Sequence, residues 1–589
     1  MLKVQAAFLR DVWALTRPYW FSEDRWPGRG LLAVILAMNL GMVYVSVQFN
    51  EWYRRFYNAL QAHNFHEFLH QFAIFGILAS IFIVIAVYQV YLRQMLQIRW
   101  RKWLTTRYLK DWLGGQTYYR MELLRSNTDN PDQRISQDLA LFVDQTLRLS
   151  LGLISAVVTL VSFVGILWVI SGPLNVPFRG TTLTIAGYMV WAALLYAIAG
   201  TWLTHLIGRP LIRLNYEQQR YEADFRFGLV RLRENTEGIA LYKGEEGERE
   251  TLAHFFEFVV GNWWAIMRRQ KSLTWFTSFY SQLAVIFPFL VASPRYFSGA
   301  IGLGVLVQIS SAFGQVQGSL TWFVDAYTAL AEWKATVDRL TGFSAAMAES
   351  KAAGSHAALE VRSGASGIAM EGMLLALPRG EPLLSNVTFD IQAGQSVLVT
   401  GPSGTGKSTM FRALAGIWPY GRGVIRMPPE DRVLFVPQKP YLPLGDLRTV
   451  ASYPLAPKPD AEIGAALTLM GLPDLAQRLD EEQNWSLQLS PGEQQRLAAA
   501  RAILVKPDWL FLDEATSALD DSMEARVYQA LREHLPDMTI VSIGHRRSLV
   551  KFHERFLVFV RDGASVKLRE ELASELLARA PQAALGTPG

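Results

Sequence analysis

Apolar and polar positions follow two regimes along this chain. Before about residue 330, long runs free of Asp, Glu, Lys and Arg recur; the last part instead alternates short apolar stretches of strand length with amphipathic ones. Six charge-free runs, 31–49, 72–92, 149–170, 182–204, 272–292 and 299–324, each come close to the roughly 20 residues that a helix needs to cross a bilayer. Core helices of soluble proteins are shorter and keep a polar face, so the first part is expected to be a bundle of six membrane-spanning helices. In the sixth run Gln308, Ser311, Gln315 and Ser319 recur at helical spacing. That polar face is read either as the lining of a wet cavity or as hydrogen bonding between helices.

The polar positions between the runs set orientation. Between the second and third lie Arg93, Arg99, Arg101, Lys102, Arg107, Lys110, Arg120, Arg125 and Arg134, and the connection between the fourth and fifth is equally basic. The other three hold few basic residues: Arg54 and Arg55, then Arg179, then Arg295. By the positive-inside rule both basic loops and both termini are expected in the cytoplasm. Ahead of the first run, Phe8, Val12, Trp13, Leu15, Trp20 and Trp26 alternate with charges, the pattern of an amphipathic elbow helix lying in the interface. An Ala/Ser/Gly-rich stretch at 344–367 lacks helical or strand periodicity and is expected to be a linker. The expected organisation is therefore a transmembrane domain over 1–343, a linker over 344–367 and an α/β domain over 368–589.

Composition narrows the functions. A chain of 589 residues exceeds one compact domain, and its 19% charged residues fall below the quarter usual for soluble proteins. The net charge of +5 is mild and no basic stripe with interleaved aromatics appears, which argues against a nucleic-acid partner. With no cysteine, disulfides, thiolate metal sites and thiol catalysis are excluded. The N-terminal residues lack the compact apolar core of a cleavable signal peptide.

The chemistry lies in the last part. Gly401, Pro402, Ser403, Gly404, Thr405, Gly406, Lys407 and Ser408 match the phosphate-binding loop pattern in full, between an apolar strand at 396–400 and a helical run that opens with Thr409. Glycines let backbone N–H groups wrap phosphates, and the following helix points its positive end at them. Lys407 is placed to pair with the β- and γ-phosphates of ATP, and Ser408 to ligate Mg²⁺. A second apolar strand, 509–512, ends in Asp513, placed to hold Mg²⁺ directly or through water, and Glu514, a carboxylate able to polarise the attacking water; alone, two such acids would equally suit a solvated turn.

These motifs resemble those of the ATP-binding-cassette (ABC) superfamily. Leu489, Ser490, Pro491, Gly492, Glu493, Gln494, Gln495 and Arg496 resemble its signature sequence, and Ser517–Asp520 its D-loop. His545 stands at the position of the switch histidine and Gln438 at that of the Q-loop glutamine, which also reaches the Mg²⁺. The resemblance implies catalytic roles for Glu514, His545 and Gln438. It also implies nucleotide contacts for residues 401–409 and, across a dimer, for Ser490, Gly492, Glu493 and Asp520. Two positions depart from the commoner pattern: Pro491 in place of glycine and Glu493 in place of glutamine. Proline suits the first position of a helix and Ser490 its N-cap, although Pro491 offers no N–H. Leu377 stands where an aromatic residue usually stacks on adenine, which leaves the choice between ATP and GTP open.

The membrane part is similar to a narrower group: half-transporters of the SbmA/BacA-like, YddA-type branch and their cobalamin-importing and peroxisomal acyl-CoA relatives. The similarity rests on the stretches 50–61, 130–134, 222–231, 234–242 and 293–299. It implies six helices of the exporter-type ABC fold joined to an α/β P-loop nucleotide-binding domain, working in a bacterial inner membrane as a dimer, a homodimer being the simplest choice and a heterodimer with a sister half-transporter the alternative. It implies ATP-driven import of large polar solutes such as cobalamin, peptides or bleomycin-like glycopeptides. Lipid or acyl-CoA movement is the alternative within the class, and an ATP-gated channel or sensor subunit the alternative outside it. The segments 127–135 and 237–244 are expected to be short coupling helices resting on the nucleotide domains.

Overall fold

The computed structural model describes residues 2–124, 130–178, 181–355, 358–378, 380–562 and 565–578. The chain divides into two compact units, Met1–Leu109 with Asn130–Phe343, and Lys110–Asp129 with Ser344–Gly589.

The first unit is helical. Its elements are α1 (Leu2–Trp20), α2 (Arg25–Gln61), α3 (Phe65–Leu113), α5 (Pro131–Gln133), α6 (Leu139–Ser171), α7 (Tyr188–Glu234), α8 (Thr236–Tyr242), α9 (Glu245–Phe297) and α10 (Leu303–Ser355). The short α4 (Thr117–Leu123) belongs to the second unit. Among the described residues, five helical segments are long and apolar enough to cross a membrane: Arg25–Gln61, Phe65–Leu123, Pro131–Ser171, Tyr188–Glu234 and Glu245–Phe297. The sixth expected run opens α10. Both α9 and α10 have 53 residues, about 80 Å of helix against a hydrocarbon thickness of about 30 Å. The basic stretches expected as cytoplasmic loops are thus largely prolongations of the spanning helices.

Two spans start later than their apolar runs. Thr181–Ile185 (β2) pairs antiparallel with Leu174–Phe178 (β1), and α7 begins only at Tyr188, after Gly187 with φ +60°. Three threonines in that strand favour the extended form over a helix start. Gly299, at φ +76°, lies beyond the end of α9, so α10 starts at Leu303 rather than at residue 299.

Small residues and reciprocal polar contacts hold the bundle together. The Tyr196 hydroxyl donates to the Tyr280 carbonyl (2.5 Å), the Tyr280 hydroxyl donates to the Tyr196 carbonyl (3.1 Å), and the rings stack at 4.5 Å. Gly200 permits this approach of α7 and α9, since a Cβ there would lie 2.3 Å from the Tyr280 ring. At the corner between α1 and α2, Tyr19 stacks on Trp100 and donates to Asp24, which Arg99 also pairs. Of the polar face expected on α10, Gln308 is buried and hydrogen-bonds to Glu51 of α2 (3.3 Å), while its carbonyl accepts from Asn50 (3.0 Å). Ser319 bonds within its own helix and Gln315 is exposed. Within this chain Gln308 therefore joins α10 to α2.

The segment expected as a first coupling helix, 127–135, divides. Residues 125–129 lie outside the described residues; Asn130–Gln133 lead into a π-helical turn, Arg134–Asp138, that opens α6. There Asp138, buried, accepts from Arg134 (2.7 Å) and from both arms of Arg339 on α10 (2.7 and 2.9 Å). Within the second unit α4 packs on the apolar core: Thr117 and Met121 are buried and Leu123 packs against the apolar cluster around Met410, Phe411 and Trp418. The second expected segment does form a short helix, α8, with no buried residue.

The second unit is built on two sheets. Its strands are β3 (Ala358–Ser363), β4 (Ile368–Ala376), β5 (Pro382–Ile391), β6 (Ser396–Thr400), β7 (Gly421–Met427), β8 (Val433–Val436), β9 (Gly445–Asp446), β10 (Glu482–Gln483), β11 (Trp509–Asp513), β12 (Thr539–Ile543), β13 (Arg555–Asp562) and β14 (Ser565–Glu571). The main sheet runs β14-β13-β6-β12-β11-β8, parallel except for β14, and a second sheet runs β3-β7-β4-β5. Helices α11 (Lys407–Leu414), α12 (Leu447–Ser452), α13 (Asp460–Leu469), α14 (Trp485–Gln488), α15 (Pro491–Val505), α16 (Asp521–His534) and α17 (Ala573–Ala578) complete it. Successive strand residues feed opposite cores: Leu398, Leu510, Leu512 and Ile540 pack into one cluster, Val397, Val399, Phe511 and Val541 into the other. The stretch 344–367, expected without regular structure, is helical as far as Ser355 and forms β3 over Ala358–Ser363.

Replacing Arg339 by methionine leaves the buried Asp138 carboxylate with Arg134 alone and is expected to cost about 3 kcal/mol. This should read out as a lower apparent melting temperature of the purified protein in detergent. An unchanged value would show that the triad contributes nothing.

Candidate active site

Four parallel strands deliver the expected residues to one edge of the main sheet. The phosphate-binding loop follows β6, Gln438 follows β8, Asp513 and Glu514 close β11, and His545 follows β12. Carboxyl ends of parallel strands are where open α/β sheets place ligands.

Glycine is required where the loop leaves the sheet. At Gly401, φ is +138° and a Cβ would meet the Phe559 carbonyl oxygen at 2.6 Å; at Gly406, φ is +91° and a Cβ would meet Leu383 at 2.8 Å. Gly404 has φ +76° and open space beside it, and Pro402, Ser403 and Gly404 form an exposed rim. Thr405 is buried and donates to the Pro402 carbonyl (2.8 Å), closing the turn. Lys407, also buried, donates to the carbonyls of Gly401 (2.9 Å) and Pro402 (2.8 Å). Burial pulls its ammonium below the usual lysine range, while Glu514 and Asp513 pull it up. A buried cation satisfied only by carbonyls, at the head of a helix and beside an open glycine, suits a polyphosphate. Thr409 follows in the first turn of α11.

The Ser408 hydroxyl donates to Asp513 Oδ1 (3.0 Å). Burial pushes the Asp513 carboxyl up, against the Ser408 bond. A hydroxyl and a carboxylate brought together beside the phosphate loop are the hard oxygen donors that suit Mg²⁺. Glu514 turns away from β11 at φ +49°, its N–H held by the Ile543 carbonyl (3.1 Å). Its carboxylate accepts from Gln438 Nε2 (2.9 Å) and lies 3.1 Å from His545 Nε2. The structure thus gathers Lys407, Ser408, Gln438, Asp513, Glu514 and His545 at one edge.

Ser490, Gly492, Glu493 and Asp520 are placed differently. Ser490 caps α15, and both its N–H (2.9 Å) and its hydroxyl (2.8 Å) donate to Glu493 Oε2, completing a capping box. Those bonds hold the Glu493 carboxyl below its usual range. Gly492 lies close to the chain at Ala518, where a Cβ would stand 3.3 Å from the carbonyl oxygen. Asp520 caps α16, accepting from Met523 N–H (2.8 Å). Among the described residues, the Ser490 and Glu493 side chains bond to each other and not to the phosphate loop of their own chain. Leu377 follows β4, its N–H bonded to the Glu381 carbonyl (2.8 Å) and its side chain partly exposed.

Two residues of the site escape the sequence reading. Gln495 donates to the carbonyl of Gln438 (3.1 Å) and to the Ser517 hydroxyl (3.2 Å), and accepts from the Ala518 N–H (2.9 Å). Arg546 donates to the carbonyls of Leu519 (2.5 Å) and Ser517 (2.9 Å). Gln495 sits in a Gln-Gln-Arg run in which nothing marks the inward-facing glutamine, and Arg546 is hidden beside the histidine that draws attention first.

Comparison with known proteins gives these motifs a context. Residues 15–297 match the ABC transporter transmembrane region 2 family, and residues 384–517 the ABC transporter family. The chain is 35% identical over 538 residues to the inner membrane ABC transporter ATP-binding protein YddA of Escherichia coli, covering 90% of this chain and 94% of that one. It is 29% identical over 501 residues to the human lysosomal cobalamin transporter ABCD4, covering 79% and 80%. In structure it is similar to a bacterial Atm1-family ABC exporter with ATP bound, with a TM-score of 0.70 at 18% identity, covering 93% of this chain and 96% of that one.

Replacing Glu493 by alanine removes the capping box and is expected to cost about 1 kcal/mol. Glu493→Gln keeps an acceptor for both Ser490 donors and should retain most of that stability. Chemical denaturation of the two variants beside the parent checks the difference; equal midpoints would show the box to be inert.

Proposed function

The chain belongs to the ABC transporters, as a multi-pass membrane protein of exporter-type fold with an ATP-binding domain, and on that premise we propose that two copies form a homodimeric, ATP-driven pump. The observation that carries the hydrolytic part is the setting of Glu514, a carboxylate fixed between Gln438 and His545 at the edge that holds the phosphate loop. A subunit that merely sensed or gated with ATP has no need of a carboxylate poised to polarise water. In this reading the loop 401–406, Lys407 and Thr409 hold the phosphates, Glu514 orients the attacking water and His545 contacts the γ-phosphate. Ser408, Asp513 and Gln438 hold Mg²⁺, which neutralises charge on the phosphoryl oxygens.

Pairing is supported by what Ser490, Gly492, Glu493 and Asp520 leave undone in their own chain: they serve the nucleotide of the partner. Motion reaches the membrane through α4, which packs with its own nucleotide domain, and through α8. With Leu241 and Tyr242 exposed at its end, α8 rests on the nucleotide domain of the partner, beside the exposed Tyr441 and Leu444 that follow Gln438. The cargo is a large polar solute taken inward, a reading that the similarity to the lysosomal cobalamin transporter supports. The inner-membrane name of the E. coli relative favours the same location, with both termini in the cytoplasm.

The chain has no cysteine, which makes the α8 contact directly testable. Cysteines introduced at Leu241 or Tyr242 together with Tyr441 or Leu444 are expected to crosslink two subunits on oxidation. Failure of every pair, with and without nucleotide, would remove α8 from the coupling path.

Transport is tested by uptake of labelled cobalamin and of a labelled proline-rich peptide, in cells lacking their own importers. Cells carrying the parent should accumulate at least one of them, and cells carrying Glu514→Gln neither. Intact ATPase activity of the purified protein without uptake of either would favour lipid or acyl-CoA as cargo.

A further inference from the structure

Gln495 lies one and a half turns beyond Ser490 on α15, about 7.5 Å along the axis, and is 5% exposed. A core glutamine commonly bonds within its helix or to one neighbour. This one reaches two separate loops by three bonds: the Q-loop through the Gln438 carbonyl, and the D-loop after β11 through the Ser517 hydroxyl and the Ala518 N–H. The Glu514 carbonyl lies at 3.5 Å from the same nitrogen, at the outer edge of hydrogen-bond distance. The loop it grips is fixed on its other side by Arg546, the residue after His545, through the Leu519 and Ser517 carbonyls. The Gln438 and Glu514 side chains are in turn bonded to each other.

We propose that Gln495 is a positioning residue that couples the two ATP sites of the dimer, tying the signature helix, which serves the nucleotide of the partner, to the glutamate that acts on the subunit's own. The proposal rests on the paired reading above. The N-terminus of α15 is stiffened by its capping box and continues as 15 residues of helix, so a shift at Ser490 is carried to Gln495 as a rigid displacement. From there it passes to the backbone of Gln438 and to the segment 514–518, and sets the distance between the Glu514 carboxylate and the water it must orient. Each subunit then hydrolyses its own ATP fastest when its signature has closed on the ATP of the partner, and hydrolysis is positively cooperative.

The test is the ATP dependence of hydrolysis by the full-length protein in lipid nanodiscs, for the parent, Gln495→Leu and Ser517→Ala. Gln495→Leu keeps the volume and loses every one of these bonds; Ser517→Ala removes a single partner and spares the fold if the first variant does not. The parent is expected to give a Hill coefficient above one. Gln495→Leu should bring it to one and lower kcat about tenfold with KM changed less than about twofold, the signature of a loss felt only in the transition state. Ser517→Ala should lie between the two. A merely structural glutamine would lower the melting temperature and the active fraction but leave the Hill coefficient of the remaining enzyme as in the parent, and that result overturns the proposal. So does a parent that hydrolyses ATP with a Hill coefficient of one. A parent whose ATPase activity is absent, or survives Glu514→Gln, overturns the transporter reading itself.

Discussion

Inside hydrocarbon a polypeptide cannot leave an N–H or a C=O unpaired without a penalty of several kcal/mol, and helix is the form in which a single segment satisfies all of its own groups. Here that demand shapes more than the membrane-embedded part. Once committed to helix, the chain continues far beyond the thickness of a bilayer, 53 residues in each of α9 and α10, and irregular backbone is confined to the ends. The short helices α4 and α8 follow directly on the ends of two such long ones, α3 and α7.

At three places the chain holds an ion between partners that its backbone positions. Lys407 is held by two carbonyls of its own loop, Glu514 by side chains that follow two other strands, and Asp138 by two arginines on different helices. Such arrangements add little net stability, because desolvation offsets most of the attraction, but an ion deprived of its partner is costly. They fix geometry rather than strengthen the fold. The departure at Glu493 follows the same rule: it gives the signature helix a capping box in which one carboxylate oxygen takes both Ser490 donors.

The parts of this architecture that were legible in the sequence are those enforced by local chemistry. The charge-free runs marked the spans, because any ion within them would be expensive, and glycines at positive φ marked the phosphate loop, because no other residue fits Gly401 or Gly406. Ser490 could be read as an N-cap from Pro491 behind it. What stayed hidden depends on competition or on distance. Thr181–Ile185 is apolar enough for a span and becomes a strand because another strand is available to pair with it. The Ala-rich stretch after residue 344 looked structureless but prolongs α10, since alanine needs no periodicity to be helical. The helix that meets the nucleotide domain, Thr117–Leu123, carries no motif at all. Gln495 differs in no local respect from Gln494 beside it; only the loops brought to α15 by the sheet give it a separate role.

The reciprocal bonds of Tyr196 and Tyr280 have a kinematic consequence. Each hydroxyl is anchored to the backbone of the other helix, one bond pointing each way across the contact. A slide of α7 along α9 by even part of a turn lengthens both bonds together, and it moves the Tyr280 ring off Gly200, the place on α7 where the absence of a Cβ makes room for it. Translation along the common axis is removed from the freedoms of this pair, while twisting and tilting about the clasp remain. The clasp thus favours α7 and α9 moving as one hinged blade, since shear between them costs both bonds at once, about 1 kcal/mol each.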